Sequence, residues 1–397
     1  MIKILEIQLN NFYLKKGAEY YNHLLETKDS FQEVEAFFGI LGCSFRLAKI
    51  YELQGNYDEA LQISFTVFRD LGPLIDVAEK KRVQFYEMYF DVSKAIASIY
   101  FNRGNHKETL NYIIEAEKVA NFLVEIRPSQ TKYKDYLAGC YDVVGDIYGA
   151  EGNLEESLSS RLRSFEIREL IMDKNAFSAT AFFNITVSAQ RVGHIYQLQK
   201  QCTLAEKYYK IALQNALKWG EFKTNNVLES DLLPIAYENM GNIYKDMNRL
   251  NDAFDYYEKY HILMKEIHLQ NPNLLQSKNL YALSLLKLAR VSHLQQKLLQ
   301  AIEYYYQSCT VFKELIITSN LNDNNYLYNF AFTCIDLTNT EKGLYQVFDT
   351  SLTDKENVKN IRRDAQNMSQ LLMSRSPSTH NFQWLYQQLS DESWYQF

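Results

Sequence analysis

Only five prolines and fourteen glycines interrupt the 397 residues, and no stretch is rich in Gly, Ser and Pro together. Proline breaks helix interiors and glycine serves tight turns, so their scarcity argues against a loop-rich or linker-divided chain and for a nearly all-helical body. Cysteine is thin as well. Cys43, Cys140, Cys202, Cys309 and Cys334 are odd in number, far apart and without a CxxC, which excludes a disulfide scaffold or a zinc ribbon. Reduced thiols in a cytoplasmic protein are the natural expectation. No uncharged run approaches the roughly 18 apolar residues that a membrane-spanning helix needs. The opening MIKILEIQLNNFYLKK carries Glu6 inside its apolar run and has no small-residue cleavage site, so it does not read as a secretory leader. No long basic block offsets the net charge of −6, and without clustered Lys and Arg a nucleic acid is not an expected partner.

The signatures of chemistry are missing too. The seven histidines, His23, His106, His194, His261, His268, His293 and His380, include no pair four apart, so no HExxH-type metal site exists. His261 and His268 lie two turns apart on one helix and read as surface residues. Gly145, Gly149 and Gly152 superficially resemble a phosphate loop, but they follow no strand and lack a Walker lysine. There is no GxSxG, and a Cys309–His293 dyad would have no motif around it. Neither catalysis nor a cofactor nor a metal is expected.

A repeat is present instead. A first column of small residues runs Ala48, Ala97, Gly145, Gly193, Gly241 and Ala289; a second runs Ala60, Thr109, Ser157, Ala205, Ala253 and Ala301. Both advance by about 48 residues per unit, and Tyr51, Tyr100, Tyr148, Tyr196 and Tyr244 form a third column that only Ser292 breaks. A fixed period of this size signals a helical solenoid. In the second helix of each unit the apolar residues recur at steps of four, three, four and three. Examples are Ala205, Tyr209, Ala212, Ala216 and Trp219, then Ala253, Tyr257, Tyr260, Met264 and Ile267, then Ala301, Tyr305, Ser308, Phe312 and Leu315. That spacing is one stripe of an α-helix. The small residue opening each stripe lets two helix axes approach, and the aromatic one turn later fills the space behind it. The high content of Tyr and Phe, 30 and 23, is thereby assigned to packing. Nothing alternates with period two, so strands are not expected.

Residues 1 to 30 are expected to form helices that cap the first repeat. Residues 31 to 320 should hold six helix pairs, with inner turns at Gly55-Asn56, Gly104-Asn105, Gly152-Asn153, Lys200-Gln201 and Asn248-Arg249, and a firm break at Gly72-Pro73. Residues 321 to 397 read as a degenerate repeat and a C-terminal helical cap, in which 321–352 is a degraded seventh pair with Leu344 and Phe348 on its second helix. A polar-rich helix from Lys355 to Ser374 follows, stopped by Pro377, then an aromatic tail. That tail, with Trp384, Trp394, Tyr395 and Phe397, is read as a capping helix or as a docking peptide.

The columns small-x-x-Tyr and, nine residues on, Ala-x-x-x-aromatic resemble the tetratricopeptide repeat (TPR), most clearly at Gly241, Tyr244, Ala253 and Tyr257. The usual period is about 34 residues, so each unit here is lengthened, and the proline that often ends the second helix is mostly absent. The longer unit looks like bacterial arrays found beside signalling or defence effectors. The resemblance implies an all-α superhelix of six to seven helix pairs with helical caps, and a groove lined by first-helix residues. The position after the first small column is polar in every copy: Lys49, Ser98, Asp146, His194, Asn242 and Arg290. With Lys94, Glu238, Lys245 and His293 nearby, these form the expected contact strip for a peptide or protein partner. The expected function is a non-catalytic adaptor or regulatory subunit of a bacterial signalling or defence complex. The alternative is a sensor of a peptide or small-molecule signal that switches an effector, such as a caspase-like protease or another enzyme subunit, by changing superhelix shape.

Overall fold

The computed structural model describes residues 30–77, 83–174, 178–222, 232–320, 323–348 and 355–391. The expected N-terminal cap and the tail residues Trp394, Tyr395 and Phe397 lie outside them. Among the described residues every regular element is helical. The helices are α1 (Ser30–Leu53), α2 (Tyr57–Val77), α3 (Val83–Asn102), α4 (His106–Ile126), α5 (Thr131–Ala150), α6 (Leu154–Lys174), α7 (Ala179–Leu198) and α8 (Cys202–Phe222). They continue as α9 (Leu232–Asp246), α10 (Leu250–Gln270), α11 (Leu275–Leu294), α12 (Leu298–Thr318), α13 (Asn324–Phe348), α14 (Lys355–Arg375) and α15 (His380–Ser390). Helices α4, α6, α8, α10 and α12 are each 21 residues long and begin at a constant step of 48 residues. The chain divides into two compact units, Met1–Ile195 and Tyr196–Phe397.

One inner turn is repeated six times. Its backbone enters the left-handed region at Gly55, Gly104, Gly152, Lys200, Asn248 and Gln296, with φ between 58° and 80°. The next residue then donates its N–H back to the carbonyl of the third-column residue: Asn56 to Tyr51, Asn105 to Tyr100, Asn153 to Tyr148, Gln201 to Tyr196, Arg249 to Tyr244 and Lys297 to Ser292, all at 2.8–2.9 Å. This is the Schellman closure, which satisfies a carbonyl orphaned at the helix end. The same residue starts the second helix, and its carbonyl accepts from the second small column, for example Ala60 N–H at 3.1 Å and Ala253 N–H at 3.0 Å. Turn, cap and column are thus one device.

The two small columns sit where paired helices touch. Ala48, Ala97 and Ala289 are at most 2% exposed, and all six second-column residues are fully buried. Gly241 shows why the first position has to be small. A Cβ there would stand 2.5 Å from the ring of Tyr257, itself fixed by burial. Gly145 occupies the same position in unit 1 and faces the stem of Arg161, whose Cγ would lie 2.9 Å from an added Cβ. The stripes of α8, α10 and α12 are buried as the periodicity requires, except that Ile267 is half-buried.

Two sequence expectations need correction. Helix α2 runs through Gly72 and Pro73 to Val77 rather than breaking there. A proline inside a helix removes one backbone bond, and the remaining turns hold the element together. Residues 324–348 form one helix, not a degraded pair, so Leu344 lies on a first helix whose partner is α14. Leu327, Phe330, Ala331, Ile335 and Leu344 of α13 join Ala365 and Leu372 of α14 and Leu385 and Leu389 of α15 in one core cluster. Buried Arg362 of α14 ties these helices by donating to the Thr338 hydroxyl at 3.2 Å and the Gln388 carbonyl at 2.6 Å.

Candidate functional site

Within each unit the first helices share a face on which neighbouring helices bond one another through side chains. In unit 1, Glu87 of α3 takes Lys132 Nζ at 3.1 Å and the Tyr133 hydroxyl at 2.8 Å from α5, and Asp135 of α5 accepts from Asn184 of α7 at 3.1 Å. In unit 2, Lys287 of α11 reaches Glu238 of α9 at 2.8 Å, with Asn242 at 3.5 Å. Arg290 pairs with Asp336 of α13 at 2.9 Å, and His293 Nδ1 lies 2.9 Å from the Thr340 hydroxyl. Each such pair spans one repeat step in sequence. A polar ladder of this kind holds successive repeats in register while keeping the face wet. Because the charges are partly solvated, each rung contributes modestly, up to about 1 kcal/mol.

The six residues that follow the first small column all lie off the core: Lys49, Ser98 and His194 are exposed, and Asp146, Asn242 and Arg290 are half-buried. Lys49 pairs with Glu52 of its own helix at 2.8 Å, and Lys94 and Ser98 are exposed on α3. Asn242 accepts the Tyr257 hydroxyl at 2.7 Å, so this strip residue is also anchored to the core stripe. Lys245 lies 4.0 Å from Asp246. Arg290 stacks its guanidinium 4.9 Å from the Phe332 ring centre, and Trp384 of α15 approaches the same ring at 5.9 Å. The structure therefore gathers Glu238, Asn242, Arg290 and His293 on the face of unit 2, and Asp146 and His194 on that of unit 1. Trp384 joins the unit 2 group through Phe332 while remaining 39% exposed.

Unit 1 holds a constellation that the sequence reading missed. At the positions where α8, α10 and α12 carry Tyr and other core residues, the inner stripe of α6 reads Ser157, Arg161, Ser164, Arg168. Arg168, with a side chain 10% exposed, pairs with Asp142 at 2.7 Å and Asp135 at 3.3 Å and donates to the hydroxyls of Ser164 and Ser188. Ser164 in turn donates to Asp142 at 2.9 Å. Arg161 crosses α5 in the space left by Gly145 and gives Nη2 to Asp146 at 2.9 Å and Nε to the Ser157 hydroxyl at 3.3 Å. Its Nη1 is buried and has no hydrogen-bond partner. Arg191 of α7 lies 3.5 Å from Asp142 and 3.8 Å from Asp146. The signal was legible: one stripe of the array is polar where its counterparts are aromatic or aliphatic.

Other sequence readings change. His261 and His268 are not surface residues; both are half-buried and stack on Tyr281, with ring centres at 5.5 and 5.4 Å. Burial, then the nearby Lys265, pushes the pKa of His261 down to about 4, and its Nδ1 lies 2.9 Å from the Ser284 hydroxyl. No Cys309–His293 dyad forms, because Cys309 faces Cys334 at 3.5 Å in the core while His293 engages Thr340. Among the described residues no cluster of His, Cys, Asp and Glu is arranged to hold a metal ion, and no helix is long and apolar enough to cross a membrane.

The family described as tetratricopeptide repeat matches residues 235–260, the α9–α10 pair whose columns and inner turn are set out above. That pair is a tetratricopeptide repeat. Response regulator aspartate phosphatase E of Bacillus subtilis (strain 168) is 24% identical to this TPR chain over 244 residues, 61% of this chain and 55% of that protein. The match thus spans about half the length of that curated relative. Among solved structures, the apo form of RapI has a TM-score of 0.53 at 12% identity, covering 96% of both chains. A signal transduction ATPase with a tetratricopeptide repeat sensor from Pyrococcus horikoshii reaches 0.47 at 16% identity, covering 95% of this chain and 54% of that one. The likeness to RapI is one of fold: a solenoid of helix pairs.

Proposed function

We propose that this TPR protein is a cytoplasmic, non-catalytic adaptor that binds a protein or peptide on the face of its first helices and serves as a regulatory subunit in bacterial signalling. The observation that carries the reading is the strip after the first small column. Six residues in phase are polar and unburied, beside a column that is buried in every copy. A surface kept wet by register alone would tolerate any hydrophilic side chain. Here Asn242 and Arg290 are held by the core and by neighbouring helices, which limits the rotamer freedom lost on binding. The partial relative named as a phosphatase of response regulators supports a signalling protein as partner class. The reading places binding in the scaffold and chemistry in its partner.

The test is capture of partners from the organism's own extract by the purified full chain, followed by titration calorimetry of each captured protein. Substituting Lys49, Asn242 and Arg290 together by Ala is expected to weaken at least one such interaction tenfold or more. Unchanged affinities for every captured protein would overturn the assignment of the face.

A further inference from the structure

Five cysteines are spread over the chain, yet two of them meet. Cys309 of α12 and Cys334 of α13 lie 25 residues apart in sequence, and their Sγ atoms stand 3.5 Å from each other with both side chains in the core. Among the described residues no other two cysteines touch, and Cys43 and Cys202 are half-buried on other helices. Free cysteine packs like a small hydrophobe, so what a facing pair adds to a core beyond two alanines is its redox chemistry. The pair belongs to the cluster that joins the last small-residue helix pair to α13, α14 and α15.

Its place is a seam. Helices α11 and α12 carry the last residues of the two small columns, Ala289 and Ala301, and α13 packs against α12 without a column of its own. The first-helix face crosses the same seam, since Asp336 and Thr340 of α13 engage Arg290 and His293 of α11. A covalent bond from α12 to Cys334 would tie down the helix that supplies half of those contacts. It would also close a loop of the chain, which stabilises a fold chiefly by restricting the unfolded state.

We propose that Cys309 and Cys334 form an oxidative modification site, a dithiol that a small disulfide of the glutathione class converts into an intramolecular bond locking α13 to α12. The thiolate is the reacting form of cysteine. Burial, then the hydrogen bond and charge of Cys309, hold the Cys334 thiol well above its ordinary range, so the closed core keeps the pair protonated and inert. Reaction waits for a local opening that parts the two helices. One cysteine then loses its proton to water and attacks a sulfur of the oxidant; the oxidant's S–S bond breaks, and its far half leaves as a thiolate. The second cysteine, deprotonated in turn, attacks the protein-side sulfur of that mixed disulfide and expels the other half. Two protein thiols give up two protons and two electrons, and one small disulfide becomes two small thiols. In a reducing compartment the pair rests as thiols, and the bond records an oxidising episode. The inference stands apart from the adaptor reading, because it needs no partner.

The experiment takes the full chain, reduced and desalted, through glutathione buffers of rising oxidised fraction. Remaining thiols are counted in denaturant, and the bonded peptides are mapped by mass spectrometry without reduction. Two thiols are expected to disappear together, with Cys309 and Cys334 in one cross-linked peptide. The oxidised chain should melt about 3 °C or more higher than the reduced one, and the amides of α13 should exchange at least tenfold more slowly. Cys309→Ala should abolish the cross-link and the melting shift together, while Cys43→Ala combined with Cys202→Ala should keep both. Because the double variant alters only half-buried sites, it keeps the test readable if Cys309→Ala fails to fold. Persistence of both thiols in the most oxidising buffer, or a bond that joins other cysteines, would overturn the site. A Cys309–Cys334 bond that leaves melting and exchange unchanged would overturn the lock.

Discussion

Units 1 and 2 solve the same packing problem with opposite allocations of favourable chemistry. In unit 1 the inner turns hold Gly55-Asn56, Gly104-Asn105 and Gly152-Asn153, with glycine in the left-handed position and asparagine as the cap. Asn105 also accepts the Glu108 N–H on its side chain at 3.2 Å. Unit 2 places Lys200, Asn248 and Gln296 in that position and follows them with Gln201, Arg249 and Lys297, and neither Arg249 nor Lys297 makes a side-chain cap bond. A non-glycine residue there costs about 1 kcal/mol. One turn into the second helix the allocation reverses. Unit 2 carries buried Tyr209, Tyr257 and Tyr305, where unit 1 carries Ser64, Ile113 and Arg161. The turn keeps one geometry in both, so its shape is imposed by the columns around it as much as by its own residues.

The sharpest way to break this contrast is to strike the polar core of unit 1. Arg168→Ala leaves Asp142 buried without its main partner and is expected to cost about 3–5 kcal/mol in urea unfolding. Arg168→Met combined with Asp142→Leu should recover most of that loss. A loss below about 1 kcal/mol for the single variant would mean that the network is solvated. In unit 2 the comparable liability is acid. The unfolded chain protonates His261 near pH 6.5, while the folded site resists until about pH 4. Stability is therefore fully present above about pH 6.5 and should decline as pH falls toward about 4, with the loss reduced by the site's partial contact with solvent. His261→Gln should flatten that part of the pH profile, as followed by hydrogen exchange in α10 and α11.

Next in size is Gly241→Ala. The added methyl group meets the buried ring of Tyr257, with an expected cost of about 1–3 kcal/mol. Comparable stability of Gly241→Ala and wild type would show that the helix pair can slide apart. The smallest effects separate the turns. Lys200→Gly or Gln296→Gly should stabilise unit 2 by about 0.5–1 kcal/mol, while Gly104→Ala should destabilise unit 1 by about 1 kcal/mol. Melting shifts of the same sign for both kinds of change would erase the distinction between the units.

What the sequence revealed was whatever a single helix writes at its own period. The columns at Gly241, Tyr244 and Ala253, the stripes of α8, α10 and α12, and the register of the five inner turns from Gly55 to Arg249 depend on spacings within one unit. Helix α2 crossing Pro73 was hidden because a local breaker can be overridden by the turns around it. The partnership of α13 with α14 was hidden because no small-residue column marks it. The stacking of His261 and His268 on Tyr281 and the meeting of Cys309 with Cys334 are contacts between helices, and one-dimensional spacing does not fix them. The polar, unburied character of the column after the first small residue was legible, but its bonding was not: nothing in the sequence says that Lys287 spans Glu238 and Asn242. Arg161 and Arg168 were legible as violations of the stripe, and went unread because the aromatic copies defined the rule.

The hydrogen at position 145 has a reach beyond its own helix. It is an aperture through which α6 delivers the Arg161 cation past α5 to Asp146, so a substitution on one helix can shift an ion pair that another makes. Alanine at 145 would press on the Arg161 stem and move the guanidinium relative to Asp146 while touching neither charged group.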